Sequence, residues 1–311
     1  MKLQMHTNEQ LSDDVYHSDE FKDSLSGSEL WNFIDKSPAE AVYGEKKDTE
    51  ALKFGSLVHC AILEPELFES KYAMDFKAPE DCLTSDAAMK AWLKAHGIAG
   101  YSSKKGLELV EMVKKAEPNQ MCFIDEQRKY QELHEGKEFI KPAIFEQLQG
   151  MRETMQQYDS YQSLIDSSEC EVSITGESEL LNGQKVQVRP DIYQGNCICN
   201  YKTTNNAKPD HVIADSFKYG YFMKEYFNAL IVSEFTGEFP EVLILAQSKV
   251  APYVVTGIKL TDEQLEIGRI QFEKAFALWS ACKDAGAYID YAQGEWLEVE
   301  TPQWMVSKTV N

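Results

Sequence analysis

The sequence predicts an α/β fold, a mixed central sheet flanked by helices with an added helical region, and three observations carry that prediction. Short runs alternating between apolar and polar residues cluster between 171 and 199. Two helix-period segments follow them, with two more strand-like runs in between. The stretch 66–150, by contrast, is charged helical sequence. Strands bracketed by helices in this order build a mixed sheet with helices packed on it.

In chain order, residues 1–24 are polar and acidic with little periodicity, and are expected to form a loose arm. Residues 25–311 are expected to form one domain, with 66–150 as a helical insertion and 169–283 as the core. In SLSGSELWNFIDKSPAEAVYG, Ser26 or Ser28 can cap a helix whose Leu30, Trp31, Phe33 and Ile34 face inward, and Ser37-Pro38 stops it or starts the next turn. Residues 50–64 place apolar side chains at 54, 57, 58, 61 and 62, one helical face, before Pro65 ends the helix. His59 sits beside that face, where a lone histidine is most often a packing residue. Turn signals punctuate the insertion at 77–81, 96–101 and 117–119, and another helix is expected from Lys141 to Ile165. The period then changes. Glu171-Val172-Ser173-Ile174 alternates, Val186 to Arg189 continues after the turn pair Asn182-Gly183, and Cys197-Ile198-Cys199 gives a third strand. A long helix from about Asp210 to Phe235 follows, then strands at 241–247 and 253–258. A last helix, capped by Thr261 or Asp262, runs toward Lys283.

Composition bounds the function. The 311 residues carry a net charge of −20, which argues against a protein that coats DNA by unspecific attraction, because phosphate binding releases counterions to Lys and Arg. Any DNA site must be local, and between 184 and 224 the balance reverses: Lys185, Arg189, Lys202, Lys208, Lys218 and Lys224 face only Asp191, Asp210 and Asp215. The longest apolar runs fall short of a bilayer span and the start lacks a signal-peptide core, so a cytoplasmic protein with no membrane association is expected. Seven scattered cysteines without a C-x-x-C pair indicate neither a disulfide framework nor a zinc knuckle, and three clustered cysteines for an iron–sulfur nuclease are missing after the core.

Glu171 opens the first strand, Asp191 ends the second just after Pro190, and Lys202 ends the third, so paired strands can bring all three together. Singly, each would be an ordinary solvated strand-end residue. Together they are the parts of phosphodiester hydrolysis: oxygen ligands for one or two Mg²⁺ (or Mn²⁺) ions, and a cation to orient water or stabilise developing charge.

These residues resemble a known family. SLSGSELWNFIDKSPAEAVY, then KFGSLVHCAILEPELF, then E-V-S, R-P-D and x-x-K-T-T, with PQWM near the end, are similar to the phage and prophage exonuclease VIII (RecE-like) group of the PD-(D/E)XK nuclease superfamily, from about Ser24 to Trp304. The resemblance implies a restriction-endonuclease-like core in which Glu171 and Asp191 bind metal, Lys202 is the active-site lysine, and His59 points into the site. It implies a divalent-metal 5′-to-3′ exonuclease on duplex DNA ends, a ring-shaped homo-oligomer and a single-strand annealing partner. Within the positive stretch, Arg189, Thr203, Thr204, Lys208, Lys218 and Lys224 are the candidate DNA contacts.

Three positions depart from the family. Asn200 stands where it places Asp; its amide can offer a carbonyl oxygen to an ion but neutralises no charge. Lys224 and Asn228 stand where a Gln and a Tyr are common, and Lys224 could hold a phosphate. Three readings of Asn200 stay open: an engineered change, a native site that uses Glu171, Asp191 and the backbone carbonyl of Tyr201, or a pseudo-nuclease that binds DNA or a protein partner. The charge also suits an interaction protein or DNA mimic.

Overall fold

The computed structural model describes residues 2–45, 49–303, 305 and 306, and Trp304 of the PQWM stretch lies outside them. The chain divides into two units, Met1–Gly55 with Thr154–Asn311, and Ser56–Glu153. The helical region, expected as an insertion, has a core cluster of Met89, Leu93, Leu109, Val110, Val113 and Cys122.

The first unit begins with β1 (Gln4–His6), α1 (Asp13–Tyr16), α2 (Gly27–Asp35) and α3 (Pro38–Tyr43). Of the two possible caps of α2, Ser26 is the one used: its hydroxyl accepts the Glu29 N–H at 3.2 Å, and Leu30 and Phe33 are buried. The expected loose arm is ordered in β1, which pairs antiparallel with a strand at 173–178, a long-range partner that local periodicity cannot reveal.

Helix α4 (Glu50–Leu63) runs into the second unit, which continues through α5 (Pro65–Lys71), β2 (Tyr72–Met74), α6 (Asp86–Ala95), α7 (Leu107–Ala116), α8 (Phe123–Leu133), β3 (Glu138–Ile140) and most of α9 (Pro142–Met155). Strands β2 and β3 form a small parallel pair. The helix expected over 141–165 is two, α9 and α10 (Asp159–Asp166), with Tyr158 in non-helical backbone between them.

The rest of the first unit is β4 (Glu169–Cys170), β5 (Ser173–Ser178), β6 (Gln184–Val188), β7 (Ile192–Tyr193), β8 (Cys197–Thr204), α11 (Pro209–Lys218), α12 (Tyr221–Thr236), β9 (Glu241–Ser248), β10 (Val255–Lys259) and α13 (Asp262–Ala285). A mixed sheet runs in the order β10-β9-β8-β7-β4, with β8 and β9 parallel and the other pairs antiparallel. A second sheet, β1-β5-β6, is antiparallel. Helix α12 packs on α2 and α13 over β5 and β9, and its Phe222, Met223, Phe227, Ile231 and Val232 fill the core with Val186, Val188, Ile198 and Ile244.

The expected helix from Asp210 to Phe235 is broken at Gly220, which adopts φ 69°, the left-handed region open to glycine, and caps α12. A Cβ there would lie 2.1 Å from the Trp31 ring. The last helix starts as expected: Thr261 and Gln264 form a capping box. Among the described residues no helix is long and apolar enough to cross a membrane.

Candidate active site

Strands β4 and β5 on one side and β6 and β7 on the other are a single antiparallel hairpin bent in its middle. Glu169 faces Tyr193 and Cys170 faces Ile192 in one sheet, Ile174 faces Val188 in the other, and each step forward on one strand is one step back on the other through the bend. At the bend Glu171 takes φ 55°, an uncommon conformation for a residue with a side chain, and its N–H donates to the Asp191 carbonyl at 3.0 Å. Opposite it, Pro190 supplies no N–H to a ladder. Glu171 thus lies between two strands rather than opening one, and the bend sets its carboxylate beside that of Asp191: an oxygen of each lies within 4.8 Å of the other.

Strand β8 forms the next part of this wall. Asn200 and Lys202 point to one face and Tyr201 to the other, where its buried hydroxyl bonds Gln247. Asp191 is 8% exposed and is held by what surrounds it. Its Oδ2 accepts the Tyr201 N–H at 2.7 Å and Lys202 Nζ at 3.2 Å, and its own N–H donates to Asn200 Oδ1 at 2.9 Å. Burial alone would lower the Lys202 pKa, but Asp191 and Glu225 outweigh it and hold the ammonium charged well above the usual lysine range.

The facing wall is α12. Tyr221, Lys224, Glu225 and Asn228 fall on one stripe of the helix and, with Ser26, Asp191, Asn200 and Lys202, line a cleft of about 210 Å³. Both Lys202 and Lys224 approach the Tyr221 ring, at 5.9 and 5.8 Å from its centroid. Burial and then the nearby Lys202 charge push Lys224 down to about 8. Glu225 is 1% exposed, accepts a hydrogen bond from Asn228 Nδ2 at 3.2 Å, and burial raises its pKa.

The predicted residues therefore separate into groups. Glu171, Asp191, Asn200 and Lys202 come together. The Asn200 carbonyl oxygen accepts the Asp191 N–H. Arg189 is not a free DNA contact: its side chain is 6% exposed, stacks 4.0 Å from the Tyr16 ring centroid, and donates to Ser173 Oγ at 2.7 Å, the Leu11 carbonyl at 2.8 Å and Asp13 Oδ1 at 3.1 Å. Its charge anchors the N-terminal segment. Lys224 lines the cleft, whereas Thr203, Thr204, Lys208 and Lys218 are outside its lining. Lys208 pairs with Asp210 at 2.9 Å and Lys218 lies over the Tyr219 ring. His59 is on α4 in the second unit and is partly buried.

Sequence reasoning missed Tyr16, Tyr221 and Glu225. Tyr16 is buried against Arg189, and burial, with Glu171, Asp13 and Asp191 nearby, raises its phenol pKa against the opposing Arg189 charge. Glu225 could have been found from its spacing: it sits four residues after Tyr221 and three before Asn228, one polar stripe on an otherwise apolar helix.

Carboxylate oxygens from Glu171 and Asp191 are hard donors, the set that Mg²⁺ or Mn²⁺ takes, and no thiolate faces them to favour a softer ion. The residues present fit a divalent cation. With Lys202 at the same carboxylate, the wall joins anionic ligands to one fixed cation.

Residues 26–293 match the family model described as a PDDEXK-like domain of unknown function (DUF3799). Among solved structures, the chain is similar to a crystal structure of a "Putative exonuclease" from Eubacterium rectale, with a TM-score of 0.53 and 14% identity over 96% of this chain and 98% of the other. At that identity the likeness shows the fold, a PD-(D/E)XK-type core. No curated protein matches the sequence significantly.

Proposed function

Because the chain belongs to the family of PDDEXK-like domains of unknown function (DUF3799), we propose that it is a divalent-metal-dependent DNA nuclease working from duplex ends, in the 5′-to-3′ direction and in phage-type recombination as the RecE-like resemblance implies. The observation that carries this reading is Asp191. One of its oxygens is held by a main-chain N–H and by Lys202, while the Glu171 carboxylate stands within 4.8 Å. The solved relative's description as an exonuclease supports the same reading.

Glu171 and Asp191 would hold the ion. Bound there, it would polarise a phosphodiester and lower the pKa of a coordinated water. Lys202 keeps a positive charge at the carboxylate that holds the ion and stabilises the charge that develops on the phosphate. Lys224 and the Tyr221 ring form the opposite side of the space a nucleotide would enter. His59 enters as a further ligand on the family pattern alone. Assembly as a ring and a single-strand annealing partner belong to the same proposal.

Digestion of linear 5′-phosphorylated duplex DNA with Mg²⁺ or Mn²⁺ tests it. The protein is expected to degrade the duplex, Lys202→Ala to lose that activity, and His59→Ala to weaken it. A rival reading, binding without cleavage, draws on the neutral Asn200, whose oxygen is engaged by Asp191. Duplex bound but left intact by the protein as it stands would favour the rival.

A further inference from the structure

The turn that joins α11 to α12 leaves two aromatic side chains in the open. Phe217 is 57% and Tyr219 44% exposed, and the Tyr219 ring lies 6.0 Å from that of Tyr221 at an interplanar angle of 36°. Tyr221 lines the cleft, so the two rings carry its helix wall on toward solvent. Each ring has cations close to it: Lys218 Nζ is 4.9 Å from the Tyr219 centroid, and Lys202 and Lys224 stand 5.9 and 5.8 Å from that of Tyr221. The turn itself is fixed. The Tyr219 N–H donates to the Asp215 carbonyl at 2.8 Å, and Gly220 holds its left-handed φ with the Trp31 ring in the place a Cβ would need.

A cation in the last turn of α11 suits the helix dipole, which accounts for the charge of Lys218 but not for the exposed rings. Nor does charge alone mark the place, because Asp215 stands one turn before Tyr219 and Glu225 one turn after Tyr221. What distinguishes it is flat aromatic surface with cations at hand, continuous with the cleft. We propose that Tyr219 and Tyr221, with Lys218, form a stacking platform for unpaired nucleotides, so that the cleft receives a single-stranded end rather than a paired one. The inference rests on reading the cleft as a nuclease site. A base inside a duplex has both faces covered by its neighbours, whereas an unpaired base offers a free face, and every base has one, so such a platform is indifferent to sequence. On a duplex, the terminal nucleotides must then leave their partners before they reach Asp191.

Fluorescence anisotropy of a short 5′-phosphorylated oligodeoxyadenylate with the full chain in EDTA, beside its digestion with Mn²⁺, separates this inference from the reading beneath it. Tyr219→Leu is expected to weaken binding roughly 5- to 100-fold, and Tyr219→Phe, which keeps the ring, to bind like the parent. An abasic oligonucleotide of equal length, with every phosphate but no bases, is expected to bind the parent more weakly and to be insensitive to Tyr219→Leu. The loss in Tyr219→Leu should also be larger on the single strand than on a blunt duplex. Unchanged affinity in Tyr219→Leu overturns the inference, and if digestion still depends on Lys202 the nuclease reading stands without it. An equal loss on the abasic oligonucleotide or on the blunt duplex overturns it too, because the ring then does not act through unpaired bases. A parent that neither binds nor cuts DNA removes both readings. If circular-dichroism melting shows that Tyr219→Leu fails to fold, the parent decides: tighter binding of the oligonucleotide than of its abasic counterpart, kept in Tyr219→Phe, supports the platform, and equal binding of the two refutes it.

Discussion

On the strand wall of the cleft, Asp191 is held by the Tyr201 N–H and the Lys202 ammonium at its carboxylate, and its own N–H and carbonyl are tied to the Asn200 amide oxygen and to the Glu171 N–H. On the helix wall, the Glu225 carboxylate accepts a side-chain donor, Asn228 Nδ2. Main-chain donors are fixed wherever the strands pair, so the Tyr201 N–H keeps its grip on Asp191 through side-chain exchange as long as the register survives. Side-chain donors exist only while particular residues are present.

The largest effect is expected on the strand wall. Lys202→Ala should lower turnover on duplex DNA by about 100-fold or more, since the fixed charge facing the reacting phosphate is removed, and single-turnover digestion measures it. An equal loss in Lys224→Ala would break the comparison, because both walls would then carry the chemistry. Next comes the support of the helix wall. Gly220→Ala forces a left-handed φ on a residue with a Cβ that meets the Trp31 ring at 2.1 Å, and should cost about 3 kcal/mol of stability in denaturant melts. Smaller again, Arg189→Ala should cost about 2 kcal/mol by leaving the Ser173 hydroxyl and the Leu11 carbonyl without their donor. Lys208→Ala, at an exposed pair with Asp210, should change stability by no more than about 0.5 kcal/mol. Comparable losses from these last two would mean that Arg189 is an ordinary surface cation.

What was readable in the sequence follows the same division. The spacing of Asn200 and Lys202 fixes a shared face on any strand, and pairing of consecutive strands could bring Glu171, Asp191 and Lys202 together, while Asn200 was marked by the family resemblance. Glu171 could be placed beside Asp191, but its left-handed backbone could not be foreseen, because it arises where the hairpin bends from one sheet to the next. The helix wall was hidden by a boundary. Gly220, taken as a residue inside one long helix, in fact starts α12, and it sets which side chains face the cleft. The ordered N-terminal segment was unreadable because β1 exists through pairing with β5, some 170 residues away, and because Leu11 and Asp13 are held by Arg189. Charge alone marked Arg189 as a DNA contact. Only its burial shows it to be an anchor.

The bent hairpin makes the separation of Glu171 and Asp191 along the chain a fixed length standard. The two carboxylates face each other because every pair from β4–β7 through β5–β6 keeps one register. Deleting a single residue from β5 or β6 would therefore be felt at the far end of the ladder, turning one carboxylate to the opposite face. Relatives that keep the chemistry should vary freely at the Asn182-Gly183 tip, yet count the same number of paired residues between tip and bend.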